Sequence, residues 1–251
     1  MYVLLTNDDG ILSAGIRAMA RALLNAGHRV TLAAPDSERS AVSHMISITR
    51  PLTARPCVTE GAPGWAIDGT PADCARLGLH LLKDDMPDMC ISGINRGPNL
   101  GGACIYSGTV NAAMEASMAG CPAIAVSIDS FAPESYENAA AVALKLLDWA
   151  TGYRLRRGEI LNLNVPAGKS IKGIYHTQTL APEFLSDANY QEFTSNYNQK
   201  YYYLDDGANE QYFPPESDLI KCREGWATVS VLTWDIASRR EGLLQNGEIE
   251  L

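Results

Sequence analysis

Three stretches of this chain place oxygen ligands where chemistry could use them. The first is Thr6-Asn7-Asp8-Asp9-Gly10, which follows an apolar run over residues 2–5. Two adjacent carboxylates at a strand end repel each other, and a bound divalent cation is the simplest counter-charge. The same residue types also make an ordinary solvated turn, so the pair taken alone leaves both readings open. The second stretch supplies Ser40 and His44, and the third supplies Asn95 and Asn99. Apart from His44 these side chains all offer oxygen and none is a thiolate. That set suits Mg²⁺, Mn²⁺ or Ca²⁺ better than a structural zinc. A lone Ser or Asn in a loop is ordinarily a turn or cap residue; the coincidence of three loops is what points to a metal.

Ser107-Gly108-Thr109 precedes a helix of small residues whose first turn has no acidic side chain. Unpaired N–H groups, two hydroxyls and the positive end of the helix dipole make an anion cradle there, most naturally for phosphate. Plain N-capping by Ser107 or Thr109 is the competing reading. Other polar residues carry less. His44, a single loop histidine, reads as solvated, and Arg96 suits a phosphate or a surface ion pair equally. Asp68 and Asp73 flank a helix start and read as structural, and Asp84-Asp85 as a solvated connection.

The elements that must position these residues follow from periodicity. Residues 2–5 predict a strand. Ile16, Met19, Ala20, Leu23 and Leu24 recur at helical spacing, with Gly27 as the C-cap glycine. Residues 29–34 predict a second buried strand, which makes a βαβ unit with a right-handed crossover. Residues 46–58, with two prolines, suggest short strands or an extended flap, and residues 65–68 a further short strand. Thr70-Pro71-Ala72-Asp73 is a helix start with Thr70 as N-cap and Pro71 in the first turn. A strand over 89–92, a Gly/Asn loop over 93–102, a helix over 110–119 and a strand over 123–128 come next. A helix over 137–150 and a strand over 160–165 complete a doubly wound α/β pattern. Beyond it, residues 171–177 and 226–234 read as strands. Between these, residues 190–213 hold six of the eleven tyrosines. That aromatic stretch suits a hairpin arm that wraps a partner subunit, or one that covers a sheet edge.

The 251 residues suffice for one large domain, and 46% hydrophobic with 20% charged residues is an ordinary globular balance. The formal net charge is -9 with no basic run, which argues against a nucleic-acid polymer as partner. No apolar stretch is long enough to span a bilayer, and the first is too short for a secretory leader. The six cysteines show no C-x-x-C spacing and the four histidines are scattered. Reduced thiols and a cytoplasmic location are therefore expected, and a histidine-based zinc site is not.

Several motifs together resemble the SurE family of stationary-phase survival proteins. They are Thr6-Asn7-Asp8-Asp9-Gly10; Ala34-Pro35-Asp36 with Glu38-Arg39-Ser40; Gly69-Thr70-Pro71-Ala72-Asp73-Cys74; Ser92-Gly93-Ile94-Asn95-Arg96-Gly97-Pro98-Asn99-Leu100-Gly101; and Tyr106-Ser107-Gly108-Thr109-Val110. Leu161-Asn162-Leu163-Asn164-Val165-Pro166 and Ile171-Lys172-Gly173-Ile174 continue the likeness in order. The resemblance implies a single α/β domain, with a Rossmann-like core over residues 1–168. An extended C-terminal part over 169–251 would carry an oligomerisation arm, giving a homodimer or homotetramer. It implies a metal-dependent nucleotidase acting on nucleoside 5′-monophosphates, with 3′-monophosphates and short polyphosphate as further substrates to test. One divalent cation per subunit, Mg²⁺ or Mn²⁺, would be held by Asp8, Asp9, Ser40 and Asn95, and the phosphate by Ser107, Gly108 and Thr109. The family usually carries glycine where this chain has Ala41, and basic residues where it has Tyr175-His176-Thr177.

The expected reaction is hydrolysis of a phosphomonoester, with Asp8 handling a proton or aligning the nucleophile. The sequence is compatible with attack by water or by an aspartate. An aspartyl-phosphate phosphatase would want D-x-D rather than the contiguous Asp8-Asp9. A Mg²⁺-binding phosphoacceptor or nucleotide-binding domain without turnover is the non-enzymatic alternative, but such a signalling domain is about half this length. No G-x-G-x-x-G follows the first strand, which argues against a dinucleotide-binding dehydrogenase.

Overall fold

The computed structural model describes residues 1–152, 155–168, 170–181, 189–205 and 213–235. The chain opens with β1 (Tyr2–Thr6), α1 (Ala14–Asn25) and β2 (Arg29–Pro35), then runs irregularly to the antiparallel pair β3 (Ala54–Thr59) and β4 (Ala62–Ile67). Next come α2 (Pro71–Leu81), β5 (Met89–Arg96), a 3₁₀ turn (Gly101–Ile105), α3 (Gly108–Met118) and β6 (Ala123–Asp129). The helix α4 (Glu137–Ala150) leads to β7 (Glu159–Pro166) and β8 (Ile174–His176). A separate hairpin, β9 (Asn189–Thr194) with β10 (Lys200–Asp205), precedes α5 (Asp218–Arg223) and β11 (Ala227–Thr233).

One nine-stranded sheet has the order β3-β4-β2-β1-β5-β6-β7-β11-β8. The run from β4 to β7 is parallel, while β3 and β11 pair antiparallel with β4 and β7. This is the expected doubly wound α/β architecture with a C-terminal hairpin. Strand alternation assigns the two faces. Val3 and Leu5 join Ile16, Met19 and Leu23 of α1 and Leu146 and Leu147 of α4 on one side. Leu4 and Cys90 face Cys74 and Leu79 of α2 and Val110 and Ala113 of α3 on the other. The chain leaves β1 toward β2 on one side, and β5 lies on the other. The switch point of the sheet, where α/β proteins place ligands, is therefore between the carboxyl ends of β1 and β5.

Thr70 and Asp73 form a reciprocal capping box: the Asp73 N–H donates to Thr70 Oγ1 (3.1 Å) and the Thr70 N–H to Asp73 Oδ2 (3.0 Å). Their structural reading stands. The expected loop over 93–102 needs correction, because β5 resumes pairing beyond Gly93. Its register against β6 shifts between Ser92 and Asn95, where Asn95 and Arg96 pair with Ser127 and Ile128. Gly93 makes this possible. It sits at φ +141, and a Cβ there would lie 2.3 Å from the Val126 carbonyl oxygen. A bulge of this kind bends the strand and re-aims the next side chains, here Asn95 and Arg96.

The strand expected over 171–177 is realised only at Ile174–His176, and of residues 46–58 only the last five are strand. Phe193 and Tyr203 meet edge to face across the hairpin, with centroids 5.5 Å apart. Parts of the expected C-terminal extension, including Tyr212 and residues 236–251, lie outside the described residues. All six cysteines are free thiols. Among the described residues no helix is long and apolar enough to cross a membrane.

Candidate active site

The acid loop is built from its own first residue. Asn7 is fully buried and its amide donates to the Gly10 carbonyl (3.0 Å) and to Ser13 Oγ (2.8 Å), which closes the loop between β1 and α1. Asp8 follows at only 3% exposure, and Asp9 is half-buried beside it. The Thr109 hydroxyl, from the first turn of α3, donates to Asp8 Oδ1. Gly108 packs so closely that a Cβ there would stand 2.9 Å from Asp8 Cβ. The acid pair and the Ser107-Gly108-Thr109 turn are thus one site, although a hundred residues separate them in sequence.

The other two loops reach the acid loop through residues adjacent to the expected ligands. The Arg39 backbone N–H donates to the Asp8 carbonyl (2.8 Å), which brings Ser40 alongside. The Arg96 backbone N–H donates to Asp9 Oδ2 (3.1 Å), one residue beyond Asn95. Ser40 is exposed and its hydroxyl donates to Glu38 Oε1 (2.9 Å). The Asn95 amide N–H is committed to the Gly97 carbonyl (2.9 Å), which fixes the orientation of its side-chain oxygen. Ser107 Oγ accepts from the Val110 N–H (3.1 Å) as N-cap of α3, so the capping reading holds for that hydroxyl. The first turn of α3 contains no acid of its own; the carboxylate nearest its positive end comes from Asp8.

Burial pushes the Asp8 carboxyl up to about 6; the Thr109 hydroxyl pulls it down and the Asp9 charge adds to the rise. Asp9 is raised as well, chiefly by burial, against the stabilising Arg96 N–H. No cationic side chain bonds to Asp8 among the described residues, and Asn7 Oδ1 is buried without a hydrogen-bond partner. Two desolvated carboxylates, an unpartnered amide oxygen and nearby neutral oxygens fit a hard divalent cation. Among the described residues no three His, Cys, Asp or Glu side chains converge on one point. A cation here would therefore be held by two acids and completed by neutral oxygens.

Asn99 departs from the grouping made on the sequence. It is buried, its N–H donates to Asn164 Oδ1 (2.7 Å), its amide to Ser127 Oγ (2.7 Å), and its carbonyl accepts from Asn162 and Asn164 (2.9 and 3.0 Å). It braces the loop after β5. Arg96 makes the ion-pair alternative, reaching Glu38 at 3.3 Å. Asp85 pairs with Arg29 (2.6 Å) on the surface. His44 is not merely solvated: its Nε2 lies 2.8 Å from Glu115 Oε2, and Arg76 bonds the other oxygen of that carboxylate. The signal for Glu115 was present in the sequence as a lone acid within a helix of Ala, Ser and Met.

Ala41 adopts φ +56, a conformation that costs an L-residue about 1–2 kcal/mol and a glycine almost nothing. Ala41→Gly is expected to stabilise the protein by roughly 0.5–1 kcal/mol after the extra freedom of glycine in the unfolded chain is deducted. Urea denaturation checks this; a lower midpoint for the variant would contradict it.

The family described as "Survival protein SurE" matches residues 3–184. The protein named 5′-nucleotidase SurE of Nitratidesulfovibrio vulgaris is 40% identical over 240 residues, covering 94% of this chain and 87% of its own. The protein of the same name from Desulforudis audaxviator is 46% identical over 175 residues, 68% of each chain. Among solved structures, the SurE protein from Aquifex aeolicus superposes with a TM-score of 0.82 at 32% identity, covering 94% of this chain and 95% of that one.

Proposed function

Because the chain belongs to the SurE family, we propose that it is a divalent-metal-dependent phosphomonoesterase that hydrolyses nucleoside 5′-monophosphates. The relatives' shared name supports the nucleotidase reading. The observation that carries the rest is the meeting of a buried acid pair with the N-terminus of α3 through the Thr109–Asp8 hydrogen bond. Asp8, Asp9, Ser40 and Asn95 would hold one Mg²⁺ or Mn²⁺. When bound, that cation would neutralise charge on the phosphate oxygens and make phosphorus more electrophilic. The N–H groups at the start of α3 bind the equatorial phosphate oxygens, and Ser107, by capping that turn, keeps them aimed. Thr109 fixes the Asp8 carboxylate in one orientation, from which Asp8 aligns the nucleophile. Burial of Asp8 against Gly108 keeps bulk water from solvating the acid and weakening these interactions.

A panel of nucleoside 5′- and 3′-monophosphates and short polyphosphate, assayed with Mg²⁺, Mn²⁺ and chelator, tests this. Turnover of 5′-monophosphates that is lost in chelator and restored by added metal is expected. No turnover of any phosphomonoester with any divalent metal would favour the non-catalytic binding domain instead. We assign the β9–β10 hairpin to self-association as a homodimer or homotetramer. Tyr201, Tyr202, Tyr203 and Phe193 leave large apolar faces exposed on it. A cytoplasmic location accords with six free thiols.

A further inference from the structure

Residues 36–53 connect β2 to β3 with no helix or strand of their own, yet they carry Ser40. Two of them, Ala41 and Ser43, sit at φ +56 and +53, a backbone region that non-glycine residues occupy only when their surroundings impose it. Those surroundings are specific. The Ser43 N–H donates to the Tyr106 carbonyl (3.0 Å) and its hydroxyl to the Ile105 carbonyl (2.7 Å), immediately before the N-cap of α3. His44 Nε2 then meets Glu115 Oε2 at 2.8 Å. Glu115 lies on α3 seven residues after Gly108, hence on the same helix face, and its side chain is 4% exposed. Arg76 of α2 bonds its second oxygen. A buried carboxylate is costly unless paired and hydrogen-bonded on both oxygens, and here the loop histidine supplies one of the two partners. The Glu115 carboxyl is held below its ordinary range, first by the His44 bond and then by Arg76, against the effect of burial.

We propose that His44 is a positioning residue: its bond to Glu115 locks the Ser40-bearing loop onto α3, so that the Ser40 ligand and the phosphate seat keep one relative placement. The ring does not act as general acid or base. This rests on the reading of Ser40 and the α3 N-terminus given above, but the lock itself is a property of the loop and can be measured without metal or substrate.

The test uses the full chain with His44→Ala, His44→Asn, whose shorter amide stops short of Glu115, and His44→Gln, whose amide reaches it. Hydrogen exchange at the Ser43 amide, Mn²⁺ and inorganic phosphate binding by calorimetry, and KM against kcat for a nucleoside monophosphate are compared. Losing a bond to a buried charged group predicts exchange at Ser43 at least about tenfold faster in His44→Ala and His44→Asn. Mn²⁺ and phosphate affinities are expected to weaken by at least about tenfold and KM to rise. Under the same reasoning kcat changes by less than about threefold, and His44→Gln restores the parent values to within about threefold. Unchanged exchange at Ser43 in both shortened variants would overturn the proposal. So would a lower melting temperature with intact Mn²⁺ and phosphate affinities, which marks a merely structural contact. A loss confined to kcat would make His44 an acid or base after all. If the parent protein binds no Mn²⁺, the metal reading of the site fails while the exchange rates still decide the lock. His44→Asn serves in place of His44→Ala should the latter not fold.

Discussion

Asp8→Asn is expected to lower nucleoside-monophosphate turnover by on the order of 10³-fold or more, and at the same time to stabilise the metal-free protein at neutral pH. The first effect follows from the proposed role of Asp8, whose charge would hold the cation and align the nucleophile. The second follows from linkage. Asp8 is pushed up to about 6 from an ordinary 3.8, so the folded state holds that proton more tightly than the unfolded chain. Stability therefore declines as pH rises between those two values, and above about pH 6 the carboxylate costs its full amount. Two pKa units correspond to about 3 kcal/mol, part of which the variant returns by burying an amide N–H in place of an oxygen. In chelator at pH 7.5 the variant should melt a few degrees above the parent, and the difference should vanish near pH 4. A lower melting temperature for the variant at pH 7.5 would contradict the account. If Asp8 holds the cation as proposed, proton and cation compete for its carboxylate, and Mn²⁺ affinity measured by calorimetry should fall as pH drops through about 6.

Gly108→Ala should also damage turnover, less severely and by a steric route. Its backbone is not strained, and alanine favours a helix over glycine. The added Cβ, however, would lie 2.9 Å from both Asp8 Cβ and Pro71 Cγ and 3.1 Å from Asp8 Oδ2. The contact is with the root of the aspartate side chain, which cannot swing away without moving its carboxylate off Thr109. A displacement approaching 1 Å in a reacting group costs on the order of 10²-fold, and that is the expected fall in kcat/KM, with far-ultraviolet circular dichroism unchanged. Parent-like turnover in this variant would mean that Asp8 does not take part where it now stands.

Both predictions depend on the feature that was hardest to see from the amino-acid order. The individual parts of the site were legible, because each has a local cause. The apolar run before Asn7 stops abruptly, as a strand end must, and Ser107 precedes a helix start with no acid in its first turn. Thr70, Pro71 and Asp73 form a cap whose chemistry lies within four residues. The α/β alternation was readable for the same reason, since helix and strand periods are properties of short segments. The sequence places Asn95 in a loop, whereas it lies at the end of a strand, because the bulge at Gly93 needs the neighbouring strand to exist. Asn99 lies in the same Gly/Asn stretch as Asn95, and only its bonds to Ser127 of β6 and to Asn162 and Asn164 of β7 show it to be a brace.

By itself, then, the amino-acid order determined the fold class, the strand and helix succession, and the residue types available at each carboxyl-terminal loop. These rest on hydrophobic periodicity and capping, interactions that span a few residues. The tertiary structure alone decided that Thr109 orients Asp8, that Arg39 and Arg96 tie their loops to the acid pair, and that His44 meets Glu115. Those contacts join residues up to about a hundred positions apart. They form only when the crossovers of a parallel sheet bring β1, β2, β5 and the start of α3 to one edge.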